Sequence, residues 1–225
     1  MEKISNREII DVIRYTADKI IIVEKLPDLD LSGYRTNYFI LDLNSLEKEV
    51  ITKNAYLMKK FGSAYQEITS RISSYAQCEA AILRDRSVFV IFPNGQCGRF
   101  DSEGEIIWND RLTYNDKPVS SLALDGDYIW CCCKDENCVI RYSLEKKPIL
   151  DIRIGDLTAK TFILPSFVSA DDENVYVCCN DIKLRSINKK DFTVSDIGSA
   201  VSGLRRFYRF GRKSLVCTAD GAYIE

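Results

Sequence analysis

Histidine is missing from all 225 residues. Its absence removes the side chain most often used as a general base near neutral pH, and with it every histidine-containing catalytic triad. It also leaves zinc without an imidazole ligand. The nine cysteines are not spaced as paired Cys-x-x-Cys knuckles either. Glycine-rich phosphate loops and nucleophile elbows are absent. No stretch approaches the roughly 18 consecutive apolar residues that a spanning helix needs. The first residues run through Ile9-Ile10 directly into Asp11, without the long apolar centre of a secretion signal. A cytosolic protein with no membrane partner and no cofactor is therefore expected. The net charge of −2 offers no broad attraction for nucleic acid. What remains is 46% apolar and 28% charged residues, the composition of a folded chain with a core.

One short pattern returns five times: a turn, then a β-like run. The copies are Asp18 before Ile20-Ile21-Ile22, Asp85 before Val88-Phe89-Val90 and Asp125 before Tyr128-Ile129-Trp130. Asp172 before Val175-Tyr176-Val177 follows, then a weaker copy, Gly211 before Ser214-Leu215-Val216. Their anchors are separated by 68, 40, 47 and 39 residues. Short strands repeating at about 40–45 residues are the signature of propeller blades. Three residues after each anchor stand Val23, Ile91, Cys131, Cys178 and Cys217. Cysteine thus occupies a slot shared with valine and isoleucine and is read as a small reduced hydrophobe.

An apolar run precedes each anchor and reads as the innermost strand, lining a central channel. Turns such as Asn94-Gly95 and Asp220-Gly221 suit tight hairpins, and a third and fourth strand follow. The predicted fold class is all-β: a five-bladed β-propeller with a short helical insertion after the first blade. One domain is expected over 1–225, with repeats near 6–53, 78–113, 118–153, 166–198 and 203–225. The fifth copy ends after its third strand, so Glu2 to Ser5 are expected to close the ring; the alternative is an open ring completed by a partner. The long first interval has two sources. Leu26 to Gly33 extends a loop, and residues 54–77 carry Leu57, Phe61, Tyr65, Ile68, Ile72 and Tyr75 at helical spacing. Asn54 is the expected cap, and Gly62 a point of division. This insert either covers apolar surface on the rim or acts as a docking element beside the channel mouth.

Candidate functional residues fall in three groups. The run Arg205-Arg206-Phe207-Tyr208-Arg209-Phe210-Gly211-Arg212 mixes cations with aromatics on a predicted inner strand. Arg205, Arg206, Tyr208 and Arg209 would give the channel a positive spot suited to an acidic peptide or small anion. Arg99, Arg141 and Arg185 occupy comparable points in successive third strands. They form either a binding arc or local ion pairs with their stems over apolar surface. Tyr65 and Trp108 are candidate platforms for a sugar or peptide, with Trp108 expected to be exposed or against the insert. The repeated acids Asp18, Asp85, Asp125 and Asp172 are read as turn caps, because a catalytic residue should break a repeat rather than follow it.

Leu122-Ala123-Leu124-Asp125-Gly126-Asp127-Tyr128-Ile129-Trp130 and Ser169-Ala170-Asp171-Asp172-Glu173-Asn174-Val175-Tyr176-Val177 resemble the β-propeller repeat superfamily of WD40, NHL and quinoprotein-like domains. The Gly-His and Trp-Asp marks of WD40 repeats are lacking. The resemblance implies a non-enzymatic binding or scaffold module presenting a propeller face to a protein or peptide. Five-bladed relatives also include sugar-hydrolysing enzymes. The alternatives are accordingly a glycan-binding protein or glycoside hydrolase with acids around the channel, or a structural module of a larger assembly.

Overall fold

The computed structural model describes residues 1–26, 35–72, 75, 77–145, 147–158, 161–180, 183–199 and 203–225. The expected loop extension lies outside them from position 27 onward. Strand β1 is Glu2–Ser5. Blade I comprises β2 (Ile9–Arg14), β3 (Lys19–Leu26), β4 (Arg35–Asp42) and β5 (Lys48–Val50). Helices α1 (Lys53–Phe61) and α2 (Tyr65–Arg71) follow. Blade II is β6 (Glu79–Ile82), β7 (Val88–Ile91), β8 (Gln96–Phe100) and β9 (Ile106–Arg111), after which β10 (Thr113–Tyr114) and β11 (Lys117–Pro118) make a small hairpin. Blade III is β12 (Ser120–Asp125), β13 (Tyr128–Cys133), β14 (Cys138–Ser143) and β15 (Ile149–Ile154). Blade IV is β16 (Pro165–Ala170), β17 (Asn174–Cys179), β18 (Lys183–Asn188) and β19 (Val194–Ser199). Blade V joins β20 (Leu204–Phe210), β21 (Lys213–Thr218) and β22 (Gly221–Ile224) to β1.

The protein is an all-β five-bladed propeller. Every blade is a four-stranded antiparallel sheet, and β1 supplies the outer strand of the last one. One apolar cluster fills each junction. Ile9, Ile20 and Leu41 of blade I meet Leu215, Cys217 and Ile224 of blade V, with Ile4 between them. The remaining clusters join I to II, II to III, III to IV and IV to V. A thin sheet has two apolar faces to cover, and only a ring covers all of them.

Strand position explains composition. The second strands have neighbouring blades on both faces, so β13, β17 and β21 are buried along nearly their whole length. The repeated slot is buried in all five copies: Val23, Ile91, Cys131, Cys178 and Cys217 are each about 1% exposed or less. None of the nine cysteines forms a disulfide, and all are buried. Burial pushes the Cys97 thiol up to about 11 and the Cys217 thiol up to about 12. Native protein is therefore expected to resist a charged thiol reagent at pH 8, with nine thiols titrating once the chain is denatured. Rapid labelling of the folded state would contradict this packing.

The insert divides at Gly62, whose φ of +74° suits glycine at a helix end. Its cap is Thr52, not Asn54: Ala55 N donates to Thr52 Oγ1 at 3.2 Å, and Asn54 already lies inside α1. Tyr56, Leu57, Phe61 and Ile68 enter the core between blades I and II. The helices are thus part of a blade junction and also reach the channel through Lys59 and Lys60.

Of the four acids expected to cap their turns, only Asp85 accepts from the backbone of its own turn among the described residues. Asp85 accepts from Ser87 N and Oγ, whereas Asp125 accepts from side chains, Trp130 Nε1 and Lys189 Nζ, and not from its turn backbone. In blade IV the cap is Asp171, which accepts from Glu173 N, Asn174 N and Tyr176 Oη; Asp172 is exposed beside it.

Candidate functional site at the channel waist

Four of the five innermost strands carry a register shift against the second strand: at Ile9/Asp11, Ser120/Ala123, Pro165/Phe167 and Leu204/Arg206. Such bulges re-aim the next side chain. The residues that pair with the repeated Val/Ile/Cys slot are Asp11, Glu79, Phe167 and Arg206, and in blade III that place falls within the shift containing Ser121. One residue from each blade thus meets near the axis. Glu79, Phe167 and Arg206 line both of two cavities, of about 620 and 640 Å³, one on either side of this waist.

The waist holds two acids and two cations. Lys60, 3% exposed in its side chain, donates to Asp11 Oδ2 at 2.7 Å and to Cys78 O at 2.7 Å. It also reaches Tyr56 Oη at 3.1 Å and Tyr75 O at 3.2 Å. Tyr56 Oη and Val12 N donate to Asp11 as well. Burial alone would raise the Asp11 pKa, but Lys60, Arg206 and these hydrogen bonds outweigh it and hold the carboxyl below its ordinary range. Burial would lower Lys60, and Asp11 foremost reverses this. Glu79 behaves oppositely. Its Oε2 accepts from Leu122 N at 2.6 Å and Ser121 Oγ at 3.1 Å, yet burial prevails over these bonds and Arg206, and its pKa is raised.

The cavity of about 620 Å³ opens where the inner strands end. Exposed Ile82 and Leu124 stand on its wall. Arg14 lies over the Phe210 ring at 5.7 Å, and Arg209 donates to Ser214 Oγ at 2.7 Å and Gly211 O at 3.0 Å. Lys59 joins them from α1, while Asp172 and Glu173 line the wall from blade IV. One mouth therefore combines aliphatic surface, cations from blades I and V, and anions from blade IV.

The structure distributes the sequence candidates unevenly. Arg206 is in the waist. Tyr208 packs on Phe167 at 5.3 Å and stacks with Phe210 at 6.1 Å, and Arg209 is at the mouth just described. Arg205 lies at the opposite mouth, paired with Glu8 at 3.2 Å. Arg99, Arg141 and Arg185 sit in three different blades. Arg99 binds Asp85, Ser87 and the Leu144 carbonyl. Arg141 pairs with Asp151 at 2.5 Å over the rings of Tyr128 and Phe192, and Arg185 is buried opposite Asp196. Tyr65 packs against the junction of blades I and II. Trp108, expected to be exposed or against the insert, instead packs on Phe89 at 5.9 Å in the junction of blades II and III. Its strand is outermost, but the next blade covers that face.

Asp11, Lys60 and Glu79 were not among the sequence candidates. Their signal is an acid within an apolar run, Ile9-Ile10-Asp11-Val12, and one nine residues before the blade II anchor. Aligning the inner strands on the anchors places Asp11 and Glu79 at the same height.

No protein-family model and no curated protein matches the chain. Among solved structures it is similar to YCF48 from Cyanidioschyzon merolae, at 12% identity and a TM-score of 0.53 over 95% of this chain and 80% of that one. It also aligns with virginiamycin B lyase from Staphylococcus aureus, at 13% identity and a TM-score of 0.47 over 98% of this chain and 70% of that one. At such identities the likeness to YCF48 concerns the propeller fold alone. Among the described residues no helix is long and apolar enough to cross a membrane. The chain has a five-bladed β-propeller fold, with a charged waist in its channel.

Proposed function

We propose that the protein is a non-enzymatic binding module which takes a segment of a partner protein at the mouth lined by Arg14, Ile82, Leu124, Arg209 and Glu173. The observation that supports this most is the composition of that mouth. Exposed aliphatic side chains stand between cations and anions contributed by different blades, a surface suited to an extended segment with an apolar centre. The two waist carboxylates have pKa values displaced in opposite directions, as an acid and base pair would. Both, however, already accept hydrogen bonds from the protein, which favours binding over hydrolysis of a glycan. Nine thiols outside any disulfide suit a reducing compartment such as the cytosol.

Panning a random peptide-display library on the immobilised protein tests this reading. Enriched peptides are expected to combine an aliphatic pair with acidic residues. The double variant Ile82→Asp, Leu124→Asp is expected to bind them about 30- to 1,000-fold more weakly, since each of the two lost aliphatic contacts is worth roughly 1–2 kcal/mol. Enrichment no better than on bare support, or binding indifferent to both substitutions in a variant with unchanged melting, would overturn the proposal.

A further inference from the structure

Arg206 stands apart from the other waist charges in how little of it is used. A guanidinium carries five N–H donors. Among the described residues, Arg206 makes one long hydrogen bond, Nη1 to Tyr208 Oη at 3.4 Å, and its nearest approach to Glu79 Oε1 is 3.7 Å, beyond hydrogen-bond reach. Its remaining donors are not sealed from solvent, because the buried side-chain atom left without a partner among the described residues is Tyr142 Oη. The Arg206 side chain is 23% exposed and borders both cavities, so its fork is reachable from either mouth. The guanidinium carbon lies over the Phe167 ring, 4.9 Å from its centroid, a cation–π contact that uses none of the N–H donors.

The neighbouring charges define what fits. Lys60 already has four acceptors around it and neutralises Asp11. Glu79 directs Oε2 to Ser121 and Leu122 and leaves Oε1 near Arg206 without a hydrogen bond. Two acids and two cations balance formally, so a dianion would face uncompensated repulsion from Asp11 and Glu79. A planar monoanion matches the fork and adds a single charge.

We propose that Arg206 forms a carboxylate-binding subsite at the channel waist: a ligand carboxylate pairs side-on with the guanidinium fork over Phe167, displacing Glu79 as its nearest anion. The carboxylate belongs to a small organic acid or to the C-terminus of a peptide entering the channel. The subsite does not require the mouth to be a protein-binding face, and its test involves none of the mouth residues.

The experiment follows the Arg206 Nε–Hε resonance by ¹⁵N NMR, assigned through its contact with the Phe167 ring, with affinity measured by calorimetry. The probes are acetate, N-acetyl-leucyl-alanine, the C-terminal amide of that dipeptide, and inorganic phosphate. The free dipeptide acid is expected to shift the resonance saturably and the amide to leave it in place. Arg206→Lys keeps the charge but not the fork and is expected to weaken the acid about tenfold or more. Glu79→Gln removes the competing anion, keeps an acceptor for Leu122 N, and is expected to tighten binding roughly fivefold. Should Arg206→Lys fail to fold, the wild-type and Glu79→Gln titrations decide. A response to acetate as well identifies small acids as ligands, and a response to the dipeptide acid alone identifies a chain terminus; either supports the subsite. Equal response to acid and amide, a tighter response to phosphate, or no effect of Glu79→Gln overturns it.

Discussion

Replacing Lys60 by methionine is expected to destabilise the fold by about 3–5 kcal/mol, because removing one partner of a buried ion pair strands the other charge. Asp11 would keep Tyr56 Oη and Val12 N as donors and the more distant Arg206 charge but lose its hydrogen-bonded cation, and the Cys78 and Tyr75 carbonyls would lose their donor. For a domain of this size that corresponds to a fall in Tm of roughly 6–20 °C. The double variant Lys60→Met, Asp11→Leu should recover most of the loss, since an apolar pair of similar volume is often as stable as a buried ion pair. A single-variant loss below about 1 kcal/mol, or a double variant whose effects simply add, would show that the two residues are not coupled.

The pH dependence carries the same test. Asp11 is depressed in the folded state, so its contribution is present above the ordinary carboxylate value of ~3.9 and disappears as pH falls through the lower folded value. Lys60 is raised, so its contribution is present below the ordinary lysine value of ~10.4 and disappears as pH rises through the higher folded value. Glu79 is raised as well. Its contribution is present below ~4.3 and is lost as pH rises through its folded value, opposing Asp11 at the acid end. In Lys60→Met the remaining Asp11 should change sign and titrate like Glu79, and urea midpoints measured across the acid range would detect it.

The blades were legible in the sequence for a reason that also explains why the waist was not. Every blade needs a second strand buried on both faces, so Ile20, Val88, Tyr128, Val175 and Ser214 recur within the same turn-and-strand pattern, and Cys131 can stand where Val23 stands. The waist takes one residue from each blade and a lysine from an insert, and nothing requires those residues to resemble one another. Asp11 and Lys60 are 49 positions apart and meet only because α1 folds back against the channel. The run Arg205 to Arg212 pointed to the channel because it mixes cations and aromatics on a predicted inner strand. The bulge between Leu204 and Arg206 then decides that Arg206 faces the waist while Arg205 pairs with Glu8 at the far mouth. Trp108 was misplaced for a related reason: an outermost strand is exposed by its place in its own sheet, but the neighbouring blade, through a junction cluster containing Ile140 and Tyr142, covers the face on which this residue lies.

Gly221→Ala is expected to be the most damaging single-methyl addition at the ring closure. Gly221 sits at φ +149°, and a Cβ built there would lie 2.1 Å from the Ser5 carbonyl oxygen, a backbone atom that no rotamer change can move aside. The strand that must shift is β1, which pairs through Glu2, Lys3 and Ser5 with β22 and buries Ile4 in the junction of blades V and I. Overpacking together with backbone strain suggests a loss of roughly 2–5 kcal/mol. Removing residues 1–5 should also destabilise the ring, leaving β22 as an open edge beside Ala222 and Ile224 and promoting association that light scattering would register. The two changes should not add. Once β1 is gone its carbonyl is no longer in the way, so Gly221→Ala in the truncated chain should cost only the strain of alanine at that φ. Hydrogen exchange gives a second reading within the full-length variant: amides shared by β1 and β22 should lose protection while those of blades II and III keep it. Full additivity, or loss of protection spread evenly around the ring, would mean that the N-terminal strand is not what holds the fifth blade to the first.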